Sequence, residues 1–340
     1  MILLRLLFLA LCLIHAAFAA ADERLRVIEG GNIFWIDNER LLYMGYSPEE
    51  LEKIAAGKFT YRELYSSPGV LYVWDTRTNR ILQHATVSRN AAFCFSEGMI
   101  LYGMPASITE RAILKFGPFG SEKEDREVTA HVEKWGLNSR ARCANPDESF
   151  LRVPAGRFVH LLESHGYVEF RGSETYLHQH GRDSPVLLKG VTSSESFNLV
   201  NRMVHFARWK GAYFNYTPGV FNMQPSKAWW LYPDGRVEWV DIPQGPWSEF
   251  ARTNAFFTPT RAGLLIRVGY PKVATLFLPG LLDAADARLQ EPQVWRSGSV
   301  WDIAVAPDGC KVAITFGSSK VPSLGLSKVE LLNICTHGKK

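Results

Sequence analysis

Cysteine is scarce in this sequence, five residues in 340. No two are spaced Cys-x-x-Cys, which argues against a zinc knuckle or a thioredoxin-type redox pair. The local signatures of catalysis are missing as well: there is no Gly-x-Ser-x-Gly elbow, no Ser-x-x-Lys, no His-Glu-x-x-His, no phosphate-binding glycine loop and no dinucleotide fingerprint. No cofactor is therefore expected. Charge of one sign is also lacking, with 38 Lys and Arg against 34 Asp and Glu. A balance that close excludes nucleic acid as an expected partner. Past the N-terminus no apolar run reaches the roughly 20 residues that a membrane-spanning helix needs, and the mature chain is expected to be soluble.

What is present begins with an address. Arg5 is followed by the apolar run Leu6 to Ile14 and then by Ala16-Ala17-Phe18-Ala19-Ala20. These are the three regions of a secretory signal peptide. Ala17 and Ala19 as the small residues before the cut predict cleavage ahead of Ala20, so residues 1–19 leave and 20–340 remain. The run is too short for an anchor, and Cys12 follows Leu11 in mid-run, where no lipid attachment is expected. The mature protein is placed in the periplasm or outside the cell. Without Arg5 it carries 37 cationic and 34 acidic side chains.

The mature region is rich in short β-branched and aromatic segments, each ended by Gly, Pro, Asn or Asp. Asn32 to Asp37, Arg40 to Tyr46, Val70 to Asp75 and Arg80 to Thr86 predict a first set of four antiparallel strands. Similar segments recur to Lys328–Ile334, with little room for crossover helices, so a parallel α/β sheet is disfavoured. One helix is expected near 48–56. Ser47 is its N-cap, Pro48 its first residue, Glu50 completes a capping box, and Gly57 suits the C-terminal end. The charged run 122–127 and the polar stretch 138–149 predict a loop or irregular insertion near 119–150.

Trp301-Asp302-Ile303-Ala304-Val305-Ala306-Pro307-Asp308-Gly309-Cys310-Lys311-Val312-Ala313-Ile314 resembles the strand, Pro-Asp-Gly turn, strand unit of β-propeller blades of the TolB and WD-repeat kinds. Tyr72-Val73-Trp74-Asp75-Thr76-Arg77-Thr78 looks like the third strand and exit turn of such a blade. The resemblance implies an all-β propeller as a single domain, 20–340. Strands taken in fours make about six blades of roughly 50 residues, although seven blades or two β-sandwiches also accommodate them. The last group, 300 to 334, is one strand short. The N-terminal strand Leu25 to Glu29 is expected to supply it, because closing the ring removes exposed sheet edges.

Four cysteines survive cleavage, and in an oxidising compartment such a set is expected to pair. If Lys311–Phe316 and Lys328–Ile334 form a hairpin, symmetry about its loop sets Cys310 opposite Cys335. Opposed strand residues lie about 4.5 to 5.5 Å apart, within disulfide reach. Cys94 and Cys143 remain as the second pair.

His178-Gln179-His180, with Asp183 close behind, is the best metal candidate, since on a strand both histidines would share a face; a polar loop with solvated histidines is the competing reading. Trp209, Tyr213, Tyr216, Trp229, Trp230 and Trp239 form an aromatic concentration. Trp209, Trp229 and Trp230, with Arg171 and Arg182, are the ligand-binding candidates, against the simpler role of core packing. Propeller enzymes gather residues from separate blades, so the missing signatures leave catalysis open. The leading expectation is an exported, non-catalytic binding protein whose loops hold a protein partner, in one version neutralising a toxin or enzyme of the same compartment. The alternatives are a hydrolase or lyase acting on carbohydrate or peptide through Arg171, His178, His180 and Asp183, and a carbohydrate-binding protein.

Overall fold

A computed structural model of the protein describes residues 25–60, 63, 67–89, 91, 93–105, 113–126, 158–161, 166–171, 174–179, 182–192, 207–209, 212–216, 227–241, 255–268, 274–281, 288–289, 293–297, 300–317 and 326–335. The predicted signal peptide lies outside them.

The chain is an all-β succession of antiparallel meanders. The first is β1 (Val27–Trp35), β2 (Arg40–Gly45), β3 (Gly69–Asp75) and β4 (Arg80–Val87), with helix α1 (Pro48–Ala55) between β2 and β3. The second is β5 (Phe93–Ser96), β6 (Met99–Gly103), β7 (Leu114–Pro118) and β8 (Lys123–Glu124). The third is β9 (Phe158–Leu161), β10 (Gly166–Arg171), β11 (Glu174–Gln179) and β12 (Val186–Thr192). The fourth is β13 (Ala207–Trp209), β14 (Ala212–Tyr216), β15 (Lys227–Leu231) and β16 (Val237–Asp241). In the fifth, β17 (Ala255–Thr260), β18 (Gly263–Val268) and β19 (Ala274–Leu281) are joined by β20 (Arg288–Leu289) and β21 (Gln293–Ser297), which both pair with β19. The last is β22 (Val300–Val305), β23 (Lys311–Gly317) and β24 (Leu326–Asn333).

The N-terminal strand pairs where the sequence placed it, but it is longer than expected. Val27, Ile28 and Glu29 oppose Lys328, Ser327 and Leu326 of β24. Ile33, Phe34 and Trp35 oppose Tyr43, Leu42 and Leu41 of β2. The two strands expected at 25–29 and 32–37 are thus one. A register shift between Ile28 and Ile33 takes up the change of partner, and β1 fuses the last and first meanders into a seven-stranded sheet.

Alternating residues of the inner strands feed two different cores, which is why β2 and β3 have no polar face. Leu41, Tyr43, Val70, Tyr72 and Trp74 pack with Ala306, Ala313 and Val329 of the last meander. Leu42, Met44 and Leu71 pack with Phe93, Ile100 and Tyr102 of the second. A period of two over a sheet covered on both sides produces this division. Val168, Leu177, Leu188 and Val191 of the third meander meet Trp229 and Leu231 of the fourth. β13 and β14 approach β17, and Leu265 and Phe277 of the fifth meet Val300, Val312 and Ile314 of the last.

Helix α1 has the capping box that its sequence foretold: Glu50 N–H donates to Ser47 Oγ at 3.2 Å and Ser47 N–H to Glu50 Oε2 at 2.7 Å. Gly57, with φ +66°, follows the last turn, a conformation that glycine adopts without penalty. Leu51 is buried with Tyr46 and Phe59.

The expected disulfide is present, with Cys310 and Cys335 5.1 Å apart at Cα. Its register differs by one residue from simple symmetry. Lys311 faces Asn333, and Ile334 N–H donates to the Cys310 carbonyl at 2.9 Å, so the bond closes one position beyond the ladder. Cys94 is also disulfide-bonded; Cys143, the partner expected for it, lies outside the described residues.

Tyr72 carries a pH signature. Its hydroxyl is buried, donating to the Tyr46 carbonyl at 2.8 Å. Burial raises its pKa to about 12, the Glu50 carboxylate adding to the shift and Arg89 opposing it. The neutral phenol is favoured in the folded state, so its contribution is whole below the ordinary value of 10.0 and is lost as pH rises through about 12. Urea midpoints measured between these limits should fall more steeply in the wild type than in Tyr72→Phe. Parallel slopes would contradict this.

Candidate functional site

Two places in the fold carry side chains that packing alone does not explain. The first is one face of the third meander. Glu169 and Arg171 of β10 lie on the same side as Glu174, Tyr176 and His178 of β11, because Glu169 opposes Tyr176, Arg171 opposes Glu174 and Tyr167 opposes His178. Leu187 of β12, opposite Tyr176, continues the row and is 42 % exposed.

Glu169 is 1 % exposed, a depth at which a lone carboxylate would be costly. Its Oε2 lies 2.7 Å from Arg171 Nη2 and 2.6 Å from His178 Nε2, so two of the four residues expected for the enzyme alternative meet at one oxygen. With its proton on Nε2, the imidazole donates to the carboxylate and is held in a fixed orientation. Arg171 also lies over the Tyr176 ring, 5.1 Å from its centroid, and Tyr176 donates to Glu174 Oε2 at 2.5 Å. That hydrogen bond, more than burial or charge, raises the Tyr176 pKa. The arrangement is a positioned imidazole and guanidinium on a buried anionic base.

The other candidates are more dispersed. Arg182 and Asp183 are exposed beyond the end of β11, and His180 lies outside the described residues. Among the described residues no three His, Cys, Asp or Glu side chains gather as metal ligands. Trp209 belongs to β13. Trp229 and Trp230 are 3 % and 4 % exposed, one packed against the third meander and the other on Phe214 at 4.8 Å. As adjacent strand residues they point to opposite faces and serve the core. Trp239 is 37 % exposed.

The second place was not anticipated as a site. Trp301 is 52 % exposed and sits on β22 where the register to β23 slips between Val300 and Asp302. It is the extra residue of a β-bulge, a device that re-aims a side chain. Arg267 of β18 donates to its carbonyl, fixing the backbone beneath the indole. A sequence signal existed: from Trp301 the alternation places a large aromatic on the same side as Ile303 and Val305, and only the bulge turns it outward.

A similar slip, between Leu71 and Tyr72 against β4, leaves His84 as the extra residue. Its ring stacks on Phe119 at 4.5 Å, and its Nε2 is 3.1 Å from Glu122 Oε1. The Glu122 side chain, 9 % exposed, therefore turns inward although it belongs to a charged run that reads as a solvated loop. Lys123 and Glu124 form β8, the edge strand against β7.

Fold and site together define an all-β protein of stacked antiparallel meanders. No family model matches the sequence, and no curated protein is similar to it. Among solved structures, it resembles the β-propeller domain of Cps50 (Swd1) from Myceliophteria thermophila, at 10 % identity and a TM-score of 0.30, over 89 % of this chain and 96 % of that one. At that TM-score the likeness carries no weight; the fold stands on the pairings and packing above.

Proposed function

We propose that the chain is an exported, non-catalytic binding protein, a six-bladed β-propeller closed by β1, that engages a protein partner through Trp301. The observation behind the binding role is the exposed indole on a bulge whose backbone Arg267 anchors. Tryptophan is among the residues enriched at the energetic hot spots of protein interfaces. For the propeller, the support is six meanders in chain order, with the first strands of the fourth, fifth, last and first in successive contact, β13 with β17, β17 with β22 and β22 with β1. Residues 127–157, which connect the second meander to the third in sequence, lie outside the described residues. For export, the support is the N-terminal segment and a disulfide suited to an oxidising compartment. Neutralising a toxin or enzyme of that compartment is one form such a role would take.

Co-purification after cross-linking, from the extracytoplasmic fraction of the source, tests this. A partner recovered with the wild type should be lost with Trp301→Ala at unchanged melting temperature, since an exposed side chain contributes little to stability. Recovery of the same proteins with both, or of none with either, would refute it. A glycan-directed role draws on the convergence of Arg171 and His178 on Glu169; binding to a glycan panel that fell in Arg171→Ala would favour it.

A further inference from the structure

We propose that the turn carrying Cys310 is a keystone at the seam between the chain's two ends, and that its disulfide makes this seam redox-gated. The turn Ala306-Pro307-Asp308-Gly309 closes with Gly309 N–H donating to the Ala306 carbonyl at 2.8 Å. Gly309 has φ +74°, and Asp308 Oδ1 accepts from Cys310 N–H at 2.8 Å.

Three meanders meet at this turn. On one side Asp308 N–H donates to Asn38 Oδ1 at 2.7 Å and Lys311 Nζ to the Asn38 carbonyl at 2.9 Å, gripping the β1–β2 turn of the first meander. On the other side Arg261 N–H, in the β17–β18 turn of the fifth, donates to the Gly309 carbonyl at 2.9 Å. Trp35 Nε1 adds a bond to the Ala304 carbonyl at 3.0 Å just upstream.

The seam continues along β24 to the N-terminal segment. Val329 N–H donates to the Arg26 carbonyl at 3.0 Å, while the Arg26 guanidinium lies 4.2 Å from the Trp74 ring centroid and donates to Asn79 Oδ1 at 2.6 Å. The last meander is thus fastened to the first at two places, the N-terminal half of β24 and the β22–β23 turn, whose Cys310 is joined to Cys335 beyond the end of β24. At the Cys335 end the fastening passes through residues whose positions the disulfide ties together.

Cys310 and Cys335 are half-buried rather than sealed, so a small thiol can reach them. Reduction by two equivalents of thiol, RSH, breaks the Sγ–Sγ bond, leaves two protein thiols and releases RSSR. The turn then keeps only its hydrogen bonds, and the contacts to Asn38 and Arg261 loosen before the sheets behind them. In a reducing compartment the seam is open; after oxidation it is locked. The consequence is local opening, which amide exchange reads directly.

Because Cys94 is also disulfide-bonded, the test uses the C310S/C335S variant of the full mature chain without reductant. Hydrogen exchange should accelerate at least tenfold more at Asp308 and Arg261 than at Met104 and Phe119, whose amides are bonded within the second meander. Equal acceleration at both sets would make the disulfide a general staple, and no acceleration would make it idle; either overturns the gate. Should the variant not fold, partial reduction of the wild type gives the same comparison, with Cys310 and Cys335 thiols identified by alkylation.

Discussion

Arg89→Ala is expected to destabilise the protein by about 3 to 5 kcal/mol, the usual loss when one partner of a buried ion pair is removed. The side chains of Arg89 and Glu50 are 2 % and 8 % exposed and 2.9 Å apart. Glu50 performs three tasks at once. It closes the capping box of α1, accepts from Ser67 Oγ at 2.5 Å, and holds Arg89, which also lies 4.4 Å from the Tyr46 ring centroid. Removing the cation leaves a carboxylate in a site built for a pair. Glu50→Gln in the Arg89→Met background should recover part of the loss, because neither remaining side chain is then charged. Urea midpoints for the single and double variants measure both effects; an Arg89→Ala protein within about 1 kcal/mol of wild type would refute the expectation.

Trp229→Ala is expected to cost about 3 to 5 kcal/mol, the range for truncating a core aromatic. The indole fills the junction of the third and fourth meanders among Val168, Leu177, Leu188 and Leu231. Trp239, opposite it across the β15–β16 pair and 6.5 Å away by ring centroid, is partly in water and over Gly190. Its truncation should cost much less. Comparing the two melting temperatures separates a core role from a surface one, and equal losses would contradict the assignment.

Several elements could be read directly from the residues because their causes are local. The capping box of α1 needs only Ser47, Pro48 and Glu50 in order. The Pro-Asp-Gly turn needs only its own φ angles. The partnership of Cys310 with Cys335 followed from the symmetry of a hairpin, and even the one-residue difference in register left them within reach. Strands β11 and β12 were less legible. Glu-Thr-Tyr-Leu-His-Gln has one strongly apolar residue, and β12 is interrupted by Lys189 and Gly190, the latter at φ +82°. Their strand character comes from neighbours on either side rather than from their own composition.

The sites were harder still. Arg171 and His178 were each noticed in the sequence, but Glu169 between them was not, because a glutamate in a strand ordinarily points to water and only cross-strand register makes it a buried hub. Trp301 was read as part of a regular strand, and a single extra residue on β22 reversed its direction.

What the amino-acid sequence determined by itself was therefore the all-β class, helix α1 and the turn that carries Cys310, since each depends on contacts between near neighbours or on periodicity, and also the pairing of the N-terminal strand with the last meander, which followed instead from the cost of an exposed sheet edge. Tertiary structure alone decided which polar groups are buried and which aromatics are exposed. Those outcomes depend on register between distant strands, where a slip of one residue moves a side chain to the other face.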